Sequence, residues 1–171
     1  MENVQGFRDK SELPNQVRAL RSNPRVQGSV YFSSKSLTNN LAGFQDSLRR
    51  DFYRYPALPP AMLWKDDVAP QAPLQLRAYL KLPSTIHLEW DEPLRARDGE
   101  AAYGYVIYRF KEGEKINVQD ASKIIKIRFN NTTSYSDNTG VKGATYQYVV
   151  TAIDRLKNES IPSNTTLAHI L

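Results

Sequence analysis

The chain has 171 residues, of which 40% are apolar and 24% are charged, so it can bury the core of one large domain or two small ones. Its formal net charge of +5 divides into +3 over residues 1–70 and +2 over residues 71–171, and neither half has the clustered basic residues that nucleic-acid binding requires. The absence of cysteine excludes disulfides and thiolate metal sites. No run approaches the roughly twenty apolar residues of a membrane span, and residues 1–7 lack an export signal, so we expect either a cytosolic protein or a longer chain whose signal was removed.

The first element in chain order is predicted to be a helix that begins after Ser11. Serine is a favourable N-terminal capping residue because its hydroxyl can accept a hydrogen bond from a free backbone N–H. The spacing of Leu13, Val17 and Leu20 places three apolar side chains on one face. The helix is expected to end near residue 23, since a proline follows at position 24.

Residues 26–32 predict a short strand, and residues 33–40 predict a polar loop. A second helix follows, because apolar side chains recur there every three to four residues, at Leu41, Phe44, Leu48 and Phe52. One isolated strand cannot satisfy its two edges, and an αβα unit of this size has too little core to be stable alone. Residues 1–55 are therefore predicted to be an αβα remnant of a larger domain.

A proline-rich stretch then interrupts the helical pattern. Prolines at positions 56, 59, 60, 70 and 73 favour an extended backbone and prevent a continuous helix. Residues 56–70 are predicted to connect the remnant to a second domain, which spans residues 71–171.

The second domain has the period-two alternation of half-buried strands. The clearest case is the run at 146–154, in which large apolar groups occupy every second position. Turn residues such as Asp98-Gly99 separate the strands. Seven short strands in about a hundred residues predict a mainly β fold, a Greek-key sandwich of the immunoglobulin-like kind. The predicted strands are Leu74–Leu80, Thr85–Trp90, Tyr103–Phe110, Lys123–Phe129, Ser134–Ser136, Thr145–Asp154 and Thr165–Ile170.

This strand series resembles a fibronectin type III domain. Trp90 ends the second strand, and the third strand carries Tyr108. The resemblance implies that the first tyrosine of the sixth strand closes a corner by hydrogen bonding to upstream backbone. The segment Glu114–Ala121 is longer and more polar than is usual in that family, so the fourth strand departs most from the pattern. The residues that the resemblance assigns to the structural core are Trp90, Tyr108, Tyr146, Tyr148 and Val150.

The front part has a second resemblance, carried by Gln27–Ser33, Leu48–Tyr53 and the run Pro56–Trp64. These segments are similar to the end of the bacterial glycoside hydrolase family 10-like barrels, in which a (β/α)8 barrel leads through a proline-rich exit to a β-domain. Residues 1–55 would then be the last helix, strand and helix of the barrel. Such barrels keep their catalytic carboxylates on earlier strands, so the resemblance implies a catalytically inert fragment without a cofactor. The parent enzyme would hydrolyse glycan, with bacterial cell-wall polysaccharide as the first expectation.

The two resemblances together assign expected roles to particular residues. Tyr31, Ser33 and Ser34 would lie at the active-site edge of the parent barrel and contact sugar. The sandwich would pack against the parent barrel domain as an accessory domain, and we expect a monomer. The family implies export of the parent to the periplasm or to the outer membrane as a lipoprotein. The expected packing anchors are Leu58, Met62, Leu63 and Trp64.

Catalytic and metal chemistry find no support in the residues themselves. Glycoside hydrolysis needs two carboxylates held about 5–9.5 Å apart, one of them protonated. The acidic pairs of this chain occur in predicted turns or at strand ends, where they are expected to be solvated. His87 alternates out of phase with its apolar neighbours and is expected to face solvent, and neither it nor His169 has a partner at metal-ligand spacing. The acidic candidates are Asp66 with Asp67, Glu89 with Asp91 or Glu92, and Glu112 with Glu114.

Two alternative functions remain open for the β-domain. A carbohydrate-binding module would use exposed aromatic rings to cover the apolar face of a sugar, and the least constrained rings are Tyr53, Tyr55, Tyr103 and Tyr135. A protein-interaction sandwich would act through an exposed sheet edge or loops. The Asn-x-Ser/Thr sequons at Asn130, Asn131, Asn158 and Asn164 are interpreted as turn residues.

Overall fold

The computed structural model describes residues 9–26, 28–81 and 84–171, without the side chain of Ser36. Gln27 in the barrel-like motif and Pro83, between the first two predicted strands, lie outside the described residues. The chain forms two compact units, one ending at Arg54 and the other spanning Tyr55–Leu171. Within the described part, no helix is both long and apolar enough to cross a membrane.

The first unit begins with helix α1 (Glu12–Ser22), which ends at Asn23 as the sequence predicts. Pro14 and Val17 are its buried residues, whereas Leu20, which was expected on the same face as Val17, is 39% exposed. The capping role of Ser11 is wrong, because Ser11 makes no side-chain cap bond and its hydroxyl donates to a carboxylate oxygen of Asp9 at 2.7 Å.

The expected strand at 26–32 is not formed, since residues 26 and 28–32 have no strand structure. The unit offers no second strand among its described residues, and a single strand cannot pair its own backbone groups. The expected loop at 33–40 contains a short helix, α2 (Ser34–Thr38). The correction of the strand concerns pairing with other segments, which local sequence does not determine.

The expected second helix is broken at its start. A 3₁₀ turn at Leu41–Gly43 precedes helix α3 (Phe44–Ser47), which continues into a π-helical turn at Leu48–Phe52. Ala42 and Gly43 have positive φ values of 51° and 75°, and this left-handed backbone cannot continue a helix.

The second unit is the predicted mainly β sandwich. The strands are β1 (Leu74–Lys81), β2 (Thr85–Asp91), β3 (Gly104–Lys111), β4 (Ile124–Arg128), β5 (Ser134–Asp137), β6 (Thr145–Ile153) and β7 (Thr166–His169). The two sheets have the orders β1-β2-β5 and β4-β3-β6-β7, with all pairs antiparallel. This arrangement of three and four strands is that of a fibronectin type III domain, so the predicted fold class is confirmed.

The core lies between the two sheets and follows the period-two pattern of the strands. In β2, Ile86, Leu88 and Trp90 are buried while their neighbours are half-buried. Tyr148 and Val150 in β6 are fully buried on the facing sheet. Trp90 packs edge-on against Tyr105 of β3, with ring centroids 5.2 Å apart. The remaining proposed core residues, Tyr108 and Tyr146, are 1% and 8% exposed.

A second apolar cluster covers the outer face of the four-stranded sheet. Val106, Tyr108 and Phe110 of β3 point away from the inter-sheet core, yet they are buried. Their cover comes from the long segment between β3 and β4, through Ile116 and Val118, and from Leu58 of the connector. The connector thus contributes to the core of this unit.

Candidate functional site

Three loops and the start of the first strand lie at one end of the sandwich, and we call it the loop end. The first strand begins there, because Leu74 pairs with Asp91 at the end of β2. The segments 92–103, 129–133 and 154–165 also meet this end, since each follows a strand that runs toward it. The connector at 55–73 therefore enters the sandwich at the loop end.

Asn158 clamps the connector to the sandwich. Its buried side-chain amide donates to the backbone carbonyl of Asp66 at 3.0 Å and to Oδ2 of Asp154 at 2.8 Å. The backbone N–H of Asn158 donates to Oδ1 of the same Asp154 at 2.9 Å. A second link joins the two segments, because the N–H of Met62 donates to the carbonyl of Leu156 at 3.2 Å. These bonds fix the backbone of residues 62–66 on the turn at 154–158.

The four expected packing anchors divide into two groups. Leu58 is half-buried against the outer cluster of the four-stranded sheet. Met62, Leu63 and Trp64 are 40%, 62% and 79% exposed. The N–H of Lys65 donates to the carbonyl of Met62 at 2.8 Å, so this exposed triplet lies on a hydrogen-bonded turn. We call Met62, Leu63 and Trp64 the apolar turn.

A buried carboxylate joins the two sheets of the sandwich. Asp137 in β5 has no exposed surface, and its Oδ2 accepts from Nη1 of Arg109 in β3 at 2.8 Å and from the hydroxyl of Tyr148 in β6 at 2.9 Å. Its Oδ1 accepts from the N–H and the hydroxyl of Thr139. Burial by itself raises the pKa of Asp137, but the Thr139 bonds, the Arg109 charge and the Tyr148 bond outweigh it and hold the pKa below its usual value.

Tyr146 closes the corner before β6. Its hydroxyl oxygen accepts a hydrogen bond from the backbone N–H of Val141 at 3.1 Å, and the guanidinium carbon of Arg109 lies 4.6 Å from the centre of its ring. The expected hydrogen bond to upstream backbone is confirmed. On the opposite face of the sheet, the hydroxyl groups of Tyr108 and Thr151 both donate to Oε1 of Glu159 at 2.6 Å. Burial, followed by the bond to Glu159, raises the pKa of Tyr108.

An open cleft of about 410 Å³ lies at the loop end, and we call it the loop-end cleft. Its polar lining comes from three segments and consists of Arg95, Glu100, Asn131 and Arg155. Tyr103 supplies an aromatic ring to the lining and is 38% exposed.

The lining of the loop-end cleft is partly fixed in place. Nη1 of Arg95 donates to the carbonyl of Gly99 at 2.8 Å. Tyr103 is held on two sides, because its N–H donates to the carbonyl of Ile153 at 2.7 Å and Nζ of Lys157 lies 4.7 Å from its ring centre. The same ammonium lies 4.7 Å from the ring of Phe129.

The expected sugar-contacting residues of the first unit lie together. Tyr31 packs edge-on against Phe44 with ring centroids 5.4 Å apart, and Tyr31 and Ser33 line a cavity of about 110 Å³ with Leu13 and Leu37. Ser34 begins α2. Sugar contact by Tyr31, Ser33 and Ser34 stays a prediction.

Four of the acidic candidates, Asp66, Glu89, Asp91 and Glu114, are engaged in structural contacts. Asp91 forms an exposed ion pair with Arg77 at 3.0 Å, and Glu114 pairs with Lys123. Oδ1 of Asp66 accepts from the N–H of Val68 at 2.9 Å. Over the described ranges, no three histidine, aspartate or glutamate side chains come together as a possible metal site.

The prediction that His87 faces solvent is wrong in part. The residue lies on the outer face of its sheet, but its side chain is only 15% exposed. Its Nε2 lies 3.0 Å from Glu89 and its Nδ1 lies 2.9 Å from the hydroxyl of Ser136. Neighbouring polar side chains on the outer face therefore cover the ring.

The chain is similar in sequence to part of larger known proteins. A scan against models of protein families finds no match. The protein named glycosyl hydrolase YngK of Bacillus subtilis (strain 168) is 35% identical over 158 residues, which are 92% of this chain and 30% of that protein. The chain is homologous to part of a bacterial glycosyl hydrolase. This match is longer than the unit Tyr55–Leu171, so the homology extends into the first unit as well.

Two further comparisons involve shorter matches. The protein named amylopullulanase of Thermoanaerobacterium thermosulfurigenes is 30% identical over 139 residues, or 79% of this chain and 7% of that protein. A solved structure described as an Fn3-like protein from Clostridium thermocellum aligns with 58% of this chain and 91% of its own, at 26% identity and a TM-score of 0.45. The chain thus spans less than a third of either curated relative.

Sequence reasoning missed two asparagines that hold distant segments together. Asn158 was interpreted as a turn residue, but it anchors the connector at Asp66. The side chain of Asn164 makes two hydrogen bonds to the backbone of Leu76 in β1: it accepts from the N–H at 2.8 Å and donates to the carbonyl at 3.0 Å. The available signal was weak: Asp154 precedes Asn158 by four residues, a spacing that suits a side-chain-bonded turn.

Proposed function

We propose that the chain is the non-catalytic C-terminal region of a bacterial glycoside hydrolase, in which the sandwich is an accessory domain that packs against the catalytic domain. Homology to part of a glycosyl hydrolase supports the parent class. The catalytic acid and nucleophile belong to the remainder of the parent protein. Two of the acidic candidates support this assignment, because Asp91 and Glu114 are ion-paired with basic side chains.

The apolar turn is the observation that carries the packing role. Exposed apolar groups in contiguous positions mark interaction sites on soluble proteins. Trp64 is 79% exposed although two hydrogen-bonded links fix the backbone around it, through Met62 and through Asp66. An exposed tryptophan on a fixed backbone loses little entropy when it is covered. The surface that covers Trp64 is assigned to the catalytic domain, since the relative YngK extends far beyond the segment that this chain matches.

The segment at 28–32 supports the barrel-remnant assignment of the first unit. Val30 and Phe32 are 99% and 100% exposed, whereas Tyr31 between them packs against Phe44. Val30, Tyr31 and Phe32 form a continuous apolar run, which is typical of a strand that is covered on both faces, and here only the Tyr31 side has a cover among the described residues. In the parent, we propose that residues 26–32 pair with neighbouring strands of the barrel.

The substrate of the parent is proposed to be a glycan. The names of the two relatives, a glycosyl hydrolase and an amylopullulanase, agree on carbohydrate as the substrate class. Cell-wall polysaccharide as the particular glycan, export of the parent, and a monomeric state all stay predictions.

The substitution Trp64→Ala in the full-length parent tests the packing role. If the catalytic domain covers Trp64, the variant should destabilise the junction by about 2–3 kcal/mol, because truncation of a covered tryptophan costs about this much. Differential scanning calorimetry measures the loss, and limited proteolysis of the connector reports the loosening. In the 171-residue chain alone, the same substitution should leave unfolding nearly unchanged, since the side chain is 79% exposed there.

Tyr79→Ala is the matched control, because Tyr79 is an aromatic residue of β1 that is 47% exposed. It should affect neither the junction nor the proteolysis pattern. Unchanged melting of the parent Trp64→Ala variant, together with a solvent-exposed fluorescence spectrum for Trp64 in the parent, would contradict the packing role.

A further inference from the structure

We propose that the loop-end cleft binds a neutral saccharide unit. The ligand class rests on the proposed function, whereas the site itself rests on the geometry of the cleft. The volume of about 410 Å³ falls within the range of about 300–1,000 Å³ that is typical of small-molecule sites.

Two planar polar groups of the cleft are free to bind a ligand. Within the described part of the chain, the side chains of Arg155 and Asn131 make no hydrogen bond or ion pair with protein. Guanidinium and amide groups each present two polar sites in one plane, and neighbouring hydroxyls of a sugar ring match that spacing. In the protein without ligand, these groups make hydrogen bonds to water, and a bound ligand replaces those with equivalent hydrogen bonds of its own.

The mixture of charges favours a neutral polyhydroxylated ligand. The cleft contains the guanidinium groups of Arg95 and Arg155 and the carboxylate of Glu100. An anionic ligand is attracted by the first two and repelled by the third, whereas a hydroxyl can accept from guanidinium and donate to carboxylate. The basic groups outnumber the single carboxylate, so the neutral assignment rests on Glu100, whose carboxylate accepts from a ligand hydroxyl and repels an acidic group.

Tyr103 adds an apolar surface beside these polar groups. The CH face of a pyranose is covered well by an aromatic ring. Lys157 lies over one face of Tyr103, at 4.7 Å from the ring centre, so the ligand is restricted to the other face or to the ring edge. This contact also orders the ring before the ligand arrives, which lowers the entropy cost of binding.

Titration of the full 171-residue chain with defined oligosaccharides tests the site. The probes are maltotetraose and chitotetraose as neutral glycans and tetragalacturonate as an anionic one, followed by isothermal calorimetry and ¹H–¹⁵N NMR. We expect at least one neutral probe to bind, with shift changes concentrated at Tyr103, Asn131 and Arg155. Weaker binding of tetragalacturonate is expected, and tighter binding of that probe would overturn the neutral-ligand assignment.

Substitutions locate the site. Tyr103→Ala and Arg155→Ala should each weaken binding of the neutral probe about tenfold or more, which corresponds to loss of one good contact. Tyr103→Phe should retain most of the affinity, because the ring and not the hydroxyl is the proposed contact. The control Tyr79→Ala removes an exposed aromatic ring of β1 and should leave binding unchanged. Buried Trp90 reports by its fluorescence that each variant is folded.

Two results would overturn the proposal. One is no binding of either neutral probe at about 10 mM, a concentration at which even a millimolar site is mostly occupied. The other is binding that Tyr103→Ala and Arg155→Ala leave unchanged. Neither result bears on the packing role, which is measured at Trp64 in the parent protein.

Discussion

The buried carboxylate of Asp137 should be the most sensitive polar group of the sandwich. It lies in β5 of one sheet and accepts hydrogen bonds from Arg109 and Tyr148 of the other. The side chains of Asp137 and Arg109 are 0% and 20% exposed, so water cannot replace the lost contacts well. Removing one partner of a buried ion pair costs about 3–5 kcal/mol. Because Arg109 keeps some exposure, we expect Asp137→Asn to cost about 3 kcal/mol, the lower end of that range.

Asparagine has the shape of aspartate, but it cannot satisfy the same partners. Each carboxylate oxygen of Asp137 accepts two hydrogen bonds, Oδ2 from Arg109 and Tyr148 and Oδ1 from the N–H and hydroxyl of Thr139. In one orientation the new NH₂ faces the guanidinium, and in the other it faces the Thr139 N–H. Either way a buried donor meets another donor, which leaves at least one donor unsatisfied.

Urea unfolding followed by the fluorescence of Trp90 measures this cost, because Trp90 is 2% exposed and lies in the same core. Asp91→Asn is the matched control. It breaks the Arg77–Asp91 pair, whose side chains are 45% and 43% exposed, and such surface pairs contribute about 0–1 kcal/mol. A loss of stability in Asp137→Asn that is no larger than in Asp91→Asn would refute the role of the buried pair.

The pH dependence provides a second check on Asp137. Its folded pKa lies below the ordinary value of 3.8, so its contribution to stability is fully present above that pH and is lost as the pH falls through the folded pKa. Asparagine does not titrate. The stability difference between the wild type and Asp137→Asn should therefore be constant near neutral pH and shrink below 3.8. A difference that stays constant through the acid range would refute the assignment.

Two further substitutions test contacts at the loop end and between strands. Asn158→Ala should lower the free energy of unfolding by about 2 kcal/mol and expose the connector to proteases, because it leaves buried polar partners unsatisfied. Asn130→Ala, at an exposed turn residue, is the control and should have little effect on either measurement. Gly104→Ala should cost more than about 3 kcal/mol in urea unfolding, since the added Cβ would lie 2.1 Å from the carbonyl oxygen of Arg128 and force β3 from β4. Gly28→Ala, with no atom within 4 Å of the added Cβ, is its control, and similar costs for the two would contradict this argument.

The sequence specified the sandwich well because each strand carries its own pattern. Ile86, Leu88 and Trp90 show the alternation that burial on one face requires, and β2 appears within one residue of its predicted end. The strand predicted at 26–32 had a similar local pattern but lacks a pairing partner among the described residues. Local pattern states which face is buried, whereas pairing depends on other segments.

The polar contacts of the candidate sites were hidden for a related reason. The bond from Asn158 to Asp66 joins residues that are 92 positions apart, and the pair of Arg109 with Asp137 spans 28 positions. No period or motif in one segment records such a contact. Residue type gave only a general preference, since asparagine and aspartate are common in turns. These roles required the fold.

The connector is expected to stabilise the sandwich in addition to linking it to the first unit. A chain of residues 71–171 lacks Leu58, the Asp66 carbonyl that Asn158 binds and the Met62 N–H that donates to Leu156. Half-burial of one leucine contributes about 1 kcal/mol and each of the two hydrogen bonds about 0.5–1.5 kcal/mol, so a chain of residues 55–171 should be more stable by about 2–4 kcal/mol. Urea unfolding compares the two, and binding of a hydrophobic dye should rise in the shorter chain as the outer cluster loses its cover. Equal stability and equal dye binding would show that the outer face of the four-stranded sheet does not need the connector.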